Sequence, residues 1–355
     1  MSVVGRESRF RMPAEWSPHR ATWLAWPHNV SDWPGKSSAV AWGFAEIVRR
    51  LSPGERVGLL VENAAHEQRA RARLARVGVD PERLAFGRVP TDRAWLRDSG
   101  PTFVLGKGRK RVALAWRFNA WAKYDNWRRD DRVAARVAAL AGVEVVAPTW
   151  QKQRVVLEGG AIDVDGAGTL LATEECLLSD VQARNPGLNR QALEAVFAEY
   201  LGATKVIWLK EGIVGDDTHG HIDDVCRFVG EGRVVLVHER NPGDDNHRAL
   251  AENRERLEGA IDAAGRKLDL IALPMPEPLI FAGRRLPASY ANFYIGNESV
   301  LVPTFNDPND RIALGILAEL FPSRKIVGIH SVDLIWGFGS VHCLSQQEPS
   351  GSDRP

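Results

Sequence analysis

Cys343 stands beside His342 in "GFGSVHCLSQQEPSG" (residues 337–351), among small and polar residues. A free cysteine is usually a small buried hydrophobe. No long apolar run surrounds this one, which makes its thiol a candidate nucleophile. Such a thiol needs an acid/base partner, and "DDTHGHIDD" (216–224) offers His219 and His221, followed by Asp223 and Asp224. Other acids sit in similar Gly-containing settings: Asp98 in "WLRDSGP", with Trp95 and Arg97, and Glu158 in "LEGG". "SYANF" adds Asn292. Several carboxylates beside one thiol would raise its pKa unless a cation neutralised them. The economical partner is a cationic substrate with a carbon that thiolate can attack. A guanidinium fits, because its planar fork matches carboxylates in bidentate fashion.

These residues are far apart in sequence, so the elements around them must bring them together. Four stretches read as β-hairpins: "GPTFVLGKGRKRVALAWRF", "GAIDVDGAGTLLATEE", "DDVCRFVGEGRVVLVHER" and "ANFYIGNESVLVPTFND". Each is followed by a stretch of helical spacing: "DRVAARVAALAG", "NRQALEAVFAEYLG", "DNHRALAENRERLEGAIDAAG" and "DRIALGILAELF". A short apolar run then suits a strand buried on both faces: "VEVVAP", "KVIWL", "LDLIALP" and "KIVGIH". The unit recurs at intervals of roughly 60 to 70 residues, a period typical of arrays and propellers. A fifth copy can be assembled from both chain ends. The Cys343 segment and "ATWLAWP" would pair, followed by the helix "SSAVAWGFAEIVRRL" and the strand "RVGLLVE", with "RARARLARVG" and "RLAFGRV" as an additional piece. Joined this way, the array closes into a ring and its hairpin mouths converge on one axis. Residues 1–349 then form a single α/β domain, and the tail 350–355 is expected to be disordered.

Composition narrows the function class. The 355 residues carry a net charge of +1 and are 44% hydrophobic, as in a soluble globular protein. That balance offers no electrostatic case for nucleic acid or a membrane surface, and no apolar run approaches a membrane span. The N-terminus lacks the apolar centre of a signal peptide. Three scattered cysteines argue against a disulfide framework or a zinc site and for a reducing cytoplasm.

The chain resembles the agmatine deiminases and bacterial-type peptidylarginine deiminases of the guanidine-modifying superfamily. The motifs are "MPAEWSPHRATWLAWP", "WLRDSGPTFV", "LEGGAIDVDGAGTLLATEECLL", "DDTHGHIDDVCRFV", "SYANFYIGNESVLVPTF" and "VHCLSQQEP", in order along nearly the whole chain. The resemblance implies a five-fold pseudosymmetric α/β propeller (pentein) of ββαβ units, no metal or organic cofactor, and a homodimer. It implies Cys343 as nucleophile, His221 as acid/base, Asp98 and Asp223 as guanidinium-binding carboxylates, Glu158 as a further acid and Trp95 as a pocket wall. His219 and Phe338 depart from the family pattern, which bears on the pocket entrance. The implied activity is hydrolysis of agmatine to N-carbamoylputrescine and ammonia, a step towards putrescine and the polyamines, through a covalent thiouronium on Cys343. Deimination of peptidyl-arginine to citrulline is the alternative. A non-catalytic guanidine-binding protein is disfavoured, because thiol, imidazole and acids are all present.

Several residues carry plainer readings. Cys176 and Cys226 lie in strand-like segments and read as packing. A metal on His219, His221 and Asp223 is a weak signal from two histidines on one strand. His342 and Asp224 should face away from Cys343 and Asp223, because neighbours on a strand point to opposite faces. His19 and His28 read as turn or surface residues, and Trp23, Trp26 and Trp116 as core. Asp98 on its own could salt-bridge Arg97.

Overall fold

Short runs of β-branched and aliphatic residues pair into five sheets of one plan across residues 8–351, the part of the chain described by the computed structural model. In each, an antiparallel pair is extended by a parallel strand. Thr102–Leu105 pairs with Arg111–Leu114, which carries Glu144–Val146. The next two sheets are Asp163–Val164, Thr169–Thr173 and Lys205–Leu209, then Cys226–Gly230, Arg233–His238 and Asp269–Pro274. Tyr294–Ile295, Ser299–Thr304 and Lys325–His330 make another. In the remaining sheet the chain ends meet: Ser345–Pro349 runs antiparallel to His19–Ala25, which leads in parallel to Arg56–Val61 and Leu84–Arg88. The fold is mixed α/β.

Parallel neighbours need a crossover, supplied here by the helices Ser37–Leu51, Val133–Ala141, Arg190–Leu201, Asp245–Leu257 and Pro308–Leu320. Asn189, Asp244 and Asp307 cap the last three by accepting backbone N–H bonds. The helical spacing read through residue 265 stops earlier, at Leu257. Gly259 adopts φ +84°, and the Leu268 N–H bonds back to the Ala260 carbonyl.

What positions the site is a turn before the leading strand of each sheet. Leu96–Ser99 precedes Thr102, Gly159–Ala161 precedes Asp163, Ile222–Asp224 precedes Cys226, and Val341–Leu344 precedes Ser345. All four are helical turns, and Asn292 occupies the corresponding place before Tyr294. Four of the five mouths therefore present helical geometry, not strand alternation.

Trp23, Trp26 and Trp116 are core, as the sequence suggests, and Cys226 is buried in its strand. His19 is not a surface residue: it is buried, with Nδ1 3.2 Å from Glu55 Oε1 and Nε2 2.7 Å from the Glu15 carbonyl. Within the tail, the Ser350 N–H bonds the Pro18 carbonyl and Gly351 accepts from Arg109, so these two residues are fixed. Residues 352–355 lie outside the described residues. No described helix is long and apolar enough to cross a membrane.

Gly58 tests the packing that joins the two ends. A Cβ there would stand 2.2 Å from Cε3 of the buried Trp23 ring. Gly58→Ala should therefore lower unfolding free energy by about 1–3 kcal/mol, the usual cost of overpacking. A urea transition with an unchanged midpoint would contradict this packing.

Candidate active site

The Cys343 thiol sits in the Val341–Leu344 turn, buried, with Sγ 3.7 Å from Asp223 Oδ2. Asn292 holds that turn. Its Oδ1 accepts from Ser340 Oγ (2.9 Å) and from the His342 N–H (3.0 Å), and its Nδ2 donates to Cys343 Sγ (3.1 Å) and Asp224 Oδ1 (2.9 Å). The imidazole of His221 faces three acids: Asp98 Oδ1 and Glu158 Oε2 at 3.9 Å, and Asp223 Oδ1 at 4.0 Å. Neither ring nitrogen has a hydrogen-bond partner, nor have Glu158 Oε2 and Asp223 Oδ1. Buried polar atoms seldom go unpaired. Four orphans around one point mark a place built for a polar guest.

A cavity of about 310 Å³ reaches this point, lined by Trp95, Asp98, Trp121, Asp217, Phe338 and Cys343 among others. Trp95 packs its ring 5.1 Å from that of Trp33 and forms one wall. The Gly160 N–H donates to Asp98 Oδ1 at 3.1 Å, while Trp121 Nε1 holds Oδ2 at 2.9 Å. The structure thus brings together Cys343, His221, Asp98, Asp223 and Glu158, with Trp95 alongside.

Electrostatics divide these groups. Burial pushes the Cys343 thiol well above its ordinary value, and Asp223, Asp224 and Asp98 push it further. Burial lifts Asp98 to about 6; His221 pulls it back, while Asp223 and Glu158 add to the rise. Burial also opposes charge on Glu158, but Arg184 and His221 prevail and bring it down to about 2. The same balance raises His221: Asp98, then Cys176 and Glu158, outweigh desolvation and favour the imidazolium. Burial, then Asp223, pushes Asp224 well above the usual carboxylate range. A cation entering the cavity would relieve the excess of buried acid and lower the thiol pKa together.

Several sequence readings are corrected here. His342 does not face away: its Nδ1 lies 2.6 Å from Asp223 Oδ2 and its Nε2 2.8 Å from Glu15 Oε2. Asp224 likewise approaches the thiol, through Asn292. The strand rule fails because both pairs sit in helical turns, where neighbours are about 100° apart. Cys176 lies in the turn Glu174–Leu178, close enough to His221 and Glu158 for their donor atoms to fall within 4.8 Å of one another. His219 turns outward, with Nε2 3.3 Å from Ser179 Oγ and Nδ1 3.6 Å from Glu175, and is absent from both side-chain groups spaced to hold a metal among the described residues. Arg97 leaves Asp98 for Gln347 and Glu15. Trp121, Arg184 and Glu15 join the site with no local signal to announce them, since their partners are remote in sequence.

A Cβ on Gly160 would lie 2.5 Å from His221 Nδ1 and 3.1 Å from Asp98 Oδ1 and Asp223 Oδ2. Gly160→Ala should cut guanidine turnover about 100-fold, the scale of a small displacement of reacting groups, with an unchanged circular-dichroism spectrum. Full turnover would place the reaction elsewhere. Asp98 must be ionised to bind a cation, and its raised pKa shifts the loss of that charge upward from the usual carboxylate range. The acid limb of kcat/KM should accordingly fall at about pH 6. A profile flat down to pH 4.5 would remove Asp98 from the site.

The profile of the Porphyromonas-type peptidyl-arginine deiminases matches residues 11–349. The agmatine deiminase of Ectopseudomonas mendocina is 36% identical, over 99% of this chain and 98% of that protein. The solved agmatine deiminase of Enterococcus faecalis superposes with a TM-score of 0.89 at 32% identity, covering 99% of both chains. A substrate-bound agmatine deiminase of C. jejuni gives 0.85 at 28% identity, with 98% of both covered. The chain belongs to the Porphyromonas-type peptidyl-arginine deiminase family, which includes the agmatine deiminases, hydrolases of amidine C–N bonds.

Proposed function

We propose that this protein is an agmatine deiminase, built as a five-fold α/β propeller whose five turn mouths converge on the cavity. One observation carries the activity: a buried thiol and a buried imidazole share the carboxylate of Asp223, with unpaired acid oxygens on the same point. Agmatine fits the outer cavity better than arginine. Asp32 lines it, with Oδ2 unpartnered and its carboxyl raised to about 6 by burial against the pull of Arg93. An amine would supply the missing partner. The basic groups there are already committed: Arg93 to Asp32, and Lys123 and Arg284 to Asp217 Oδ1 at 2.6 and 2.7 Å. Arg93 Nε has no hydrogen-bond partner, so a substrate carboxylate would have to compete with Asp32 for that guanidinium.

The guanidinium enters flat between Asp98 and Asp223 and neutralises the acids around Sγ. The Cys343 proton is lost to solvent as the cation settles, and the thiolate attacks the central carbon, giving a neutral tetrahedral adduct. His221 gives its proton to one nitrogen, which leaves as ammonia, and a thiouronium remains on Cys343. Neutral His221 takes a proton from water, whose oxygen adds to the same carbon. Collapse expels the thiolate, the new hydroxyl loses its proton to solvent as the ureido product leaves, and the thiolate is reprotonated. Fixing the guanidinium on two carboxylates before attack removes much of the entropic barrier.

Cys343→Ala should abolish ammonia release while still binding agmatine. Parent protein given agmatine, free arginine and an arginyl peptide should form ureido product fastest from agmatine. Preference for the peptide would favour the peptidyl-arginine reading, and no product from any of them the binding-protein reading.

A further inference from the structure

His342 adjoins the nucleophile, but the reaction above gives it no task. Its side chain is nevertheless firmly anchored at both ring nitrogens. The ring is buried and bridges two buried carboxylates, Asp223 at 2.6 Å and Glu15 at 2.8 Å. Glu15, from the N-terminal "MPAEW" segment, is itself fixed. Its Oε1 accepts from the Ile295 N–H at 2.8 Å and lies 3.1 Å from Arg227, and its Oε2 lies 3.3 Å from Arg97. Arg227 is held in turn by the Phe293 carbonyl at 2.8 Å and by Asp163 at 3.3 Å. The backbone of His342 is gripped on both sides, by Asn292 through its N–H and by Arg97 through its carbonyl.

The consequence lies at Asp223. His342 occupies Oδ2, leaving Oδ1 without a hydrogen-bond partner and 4.0 Å from His221. A carboxylate free to rotate could present either oxygen, or turn both towards its own protein. We propose that His342 is a positioning residue: clamped between Glu15 and Asp223, it fixes the carboxylate of Asp223 so that Oδ1 is offered to the guanidinium. Each ring nitrogen meets one carboxylate oxygen, so the ring ties the two acids together at a fixed separation. The rigid ring then transmits the position of the Glu15–Arg227–Arg97 cluster to the substrate site, and the N-terminal segment becomes part of the binding apparatus. This inference rests on the deiminase reading.

Two variants separate the link to Asp223 from mere packing. His342→Asn can keep a donor where Nδ1 stands, facing Asp223. His342→Gln places its amide towards Glu15 and releases Asp223. With agmatine, His342→Gln should raise KM at least about tenfold and lower kcat/KM about 100-fold, while His342→Asn stays within about fivefold of the parent. Both should melt alike, since a packing role would not sort them by which carboxylate keeps its donor. Equal losses in the two variants, or no loss in His342→Gln, overturn the proposal. If His342→Gln does not fold, His342→Asn decides alone, and a loss of about 100-fold in it is fatal. If neither folds, His342 belongs to stability and the proposal fails. A parent protein inactive on every guanidine sinks the deiminase reading and this inference with it, whereas an active parent with an indifferent His342→Gln sinks this inference alone.

Discussion

Buried carboxylates without a full complement of cations are the constraint on which this structure turns. Asp98, Glu158, Asp223 and Asp224 are all withdrawn from water around one thiol. An isolated buried charge is costly, and proteins usually pair it, hydrogen-bond it or protonate it. Each acid here takes a different route. Glu158 has Arg184 and Asp223 has His342, Asp224 is pushed well above the usual carboxylate range, and Asp98 is held by Trp121 and Gly160 with its carboxyl lifted to about 6. What remains unpaired surrounds His221, just beyond the cavity wall formed by Asp98 and Cys343.

That residue of strain gives the site its logic. The thiol stays protonated while the acids around it are uncompensated, because burial and negative neighbours both disfavour the thiolate. In the proposed reaction a cation of the right shape would change that balance as it arrives, so the nucleophile would form where its target already sits. Binding energy from neutralising Asp98 and Asp223 would then be directed into activation. A static thiolate would also be open to indiscriminate oxidation and alkylation.

The protein supplies its own guanidinium groups on the outer side of the same acids. Arg184 backs Glu158, and Arg97 and Arg227 back Glu15, which backs Asp223 through His342. The substrate's guanidinium would complete the pattern from within. Permanent arginines suit this task because they stay charged when buried. The arrangement draws on every sheet: the turns of all five meet, and the N-terminal segment threads behind them.

Hairpins and helix caps were legible from residue order because each depends on neighbours a few positions away. The apolar runs after the helices were legible as strands but were expected to be buried on both faces. Glu144–Val146, Asp269–Pro274 and Lys325–His330 instead lie at sheet edges, largely exposed or half-buried, because a run's own residues do not say whether another strand will cover it. The pairing of the two chain ends was legible from the repeat and its missing copy. Cys343, His221 and the acids were legible as candidates by residue type and Gly-rich setting, and the fold brings them together. Tertiary structure alone decided which side chains face one another. Asp224 and His342 were expected to point away because a strand was assumed, and a single helical turn at each mouth reversed both. Trp121 and Arg184 carry no local mark, and Asn292, visible at its mouth, had no task until its partners came within reach. A local sequence pattern fixes backbone conformation within an element, but the partners of a buried charge are chosen across the whole fold, where desolvation makes every unpaired atom count.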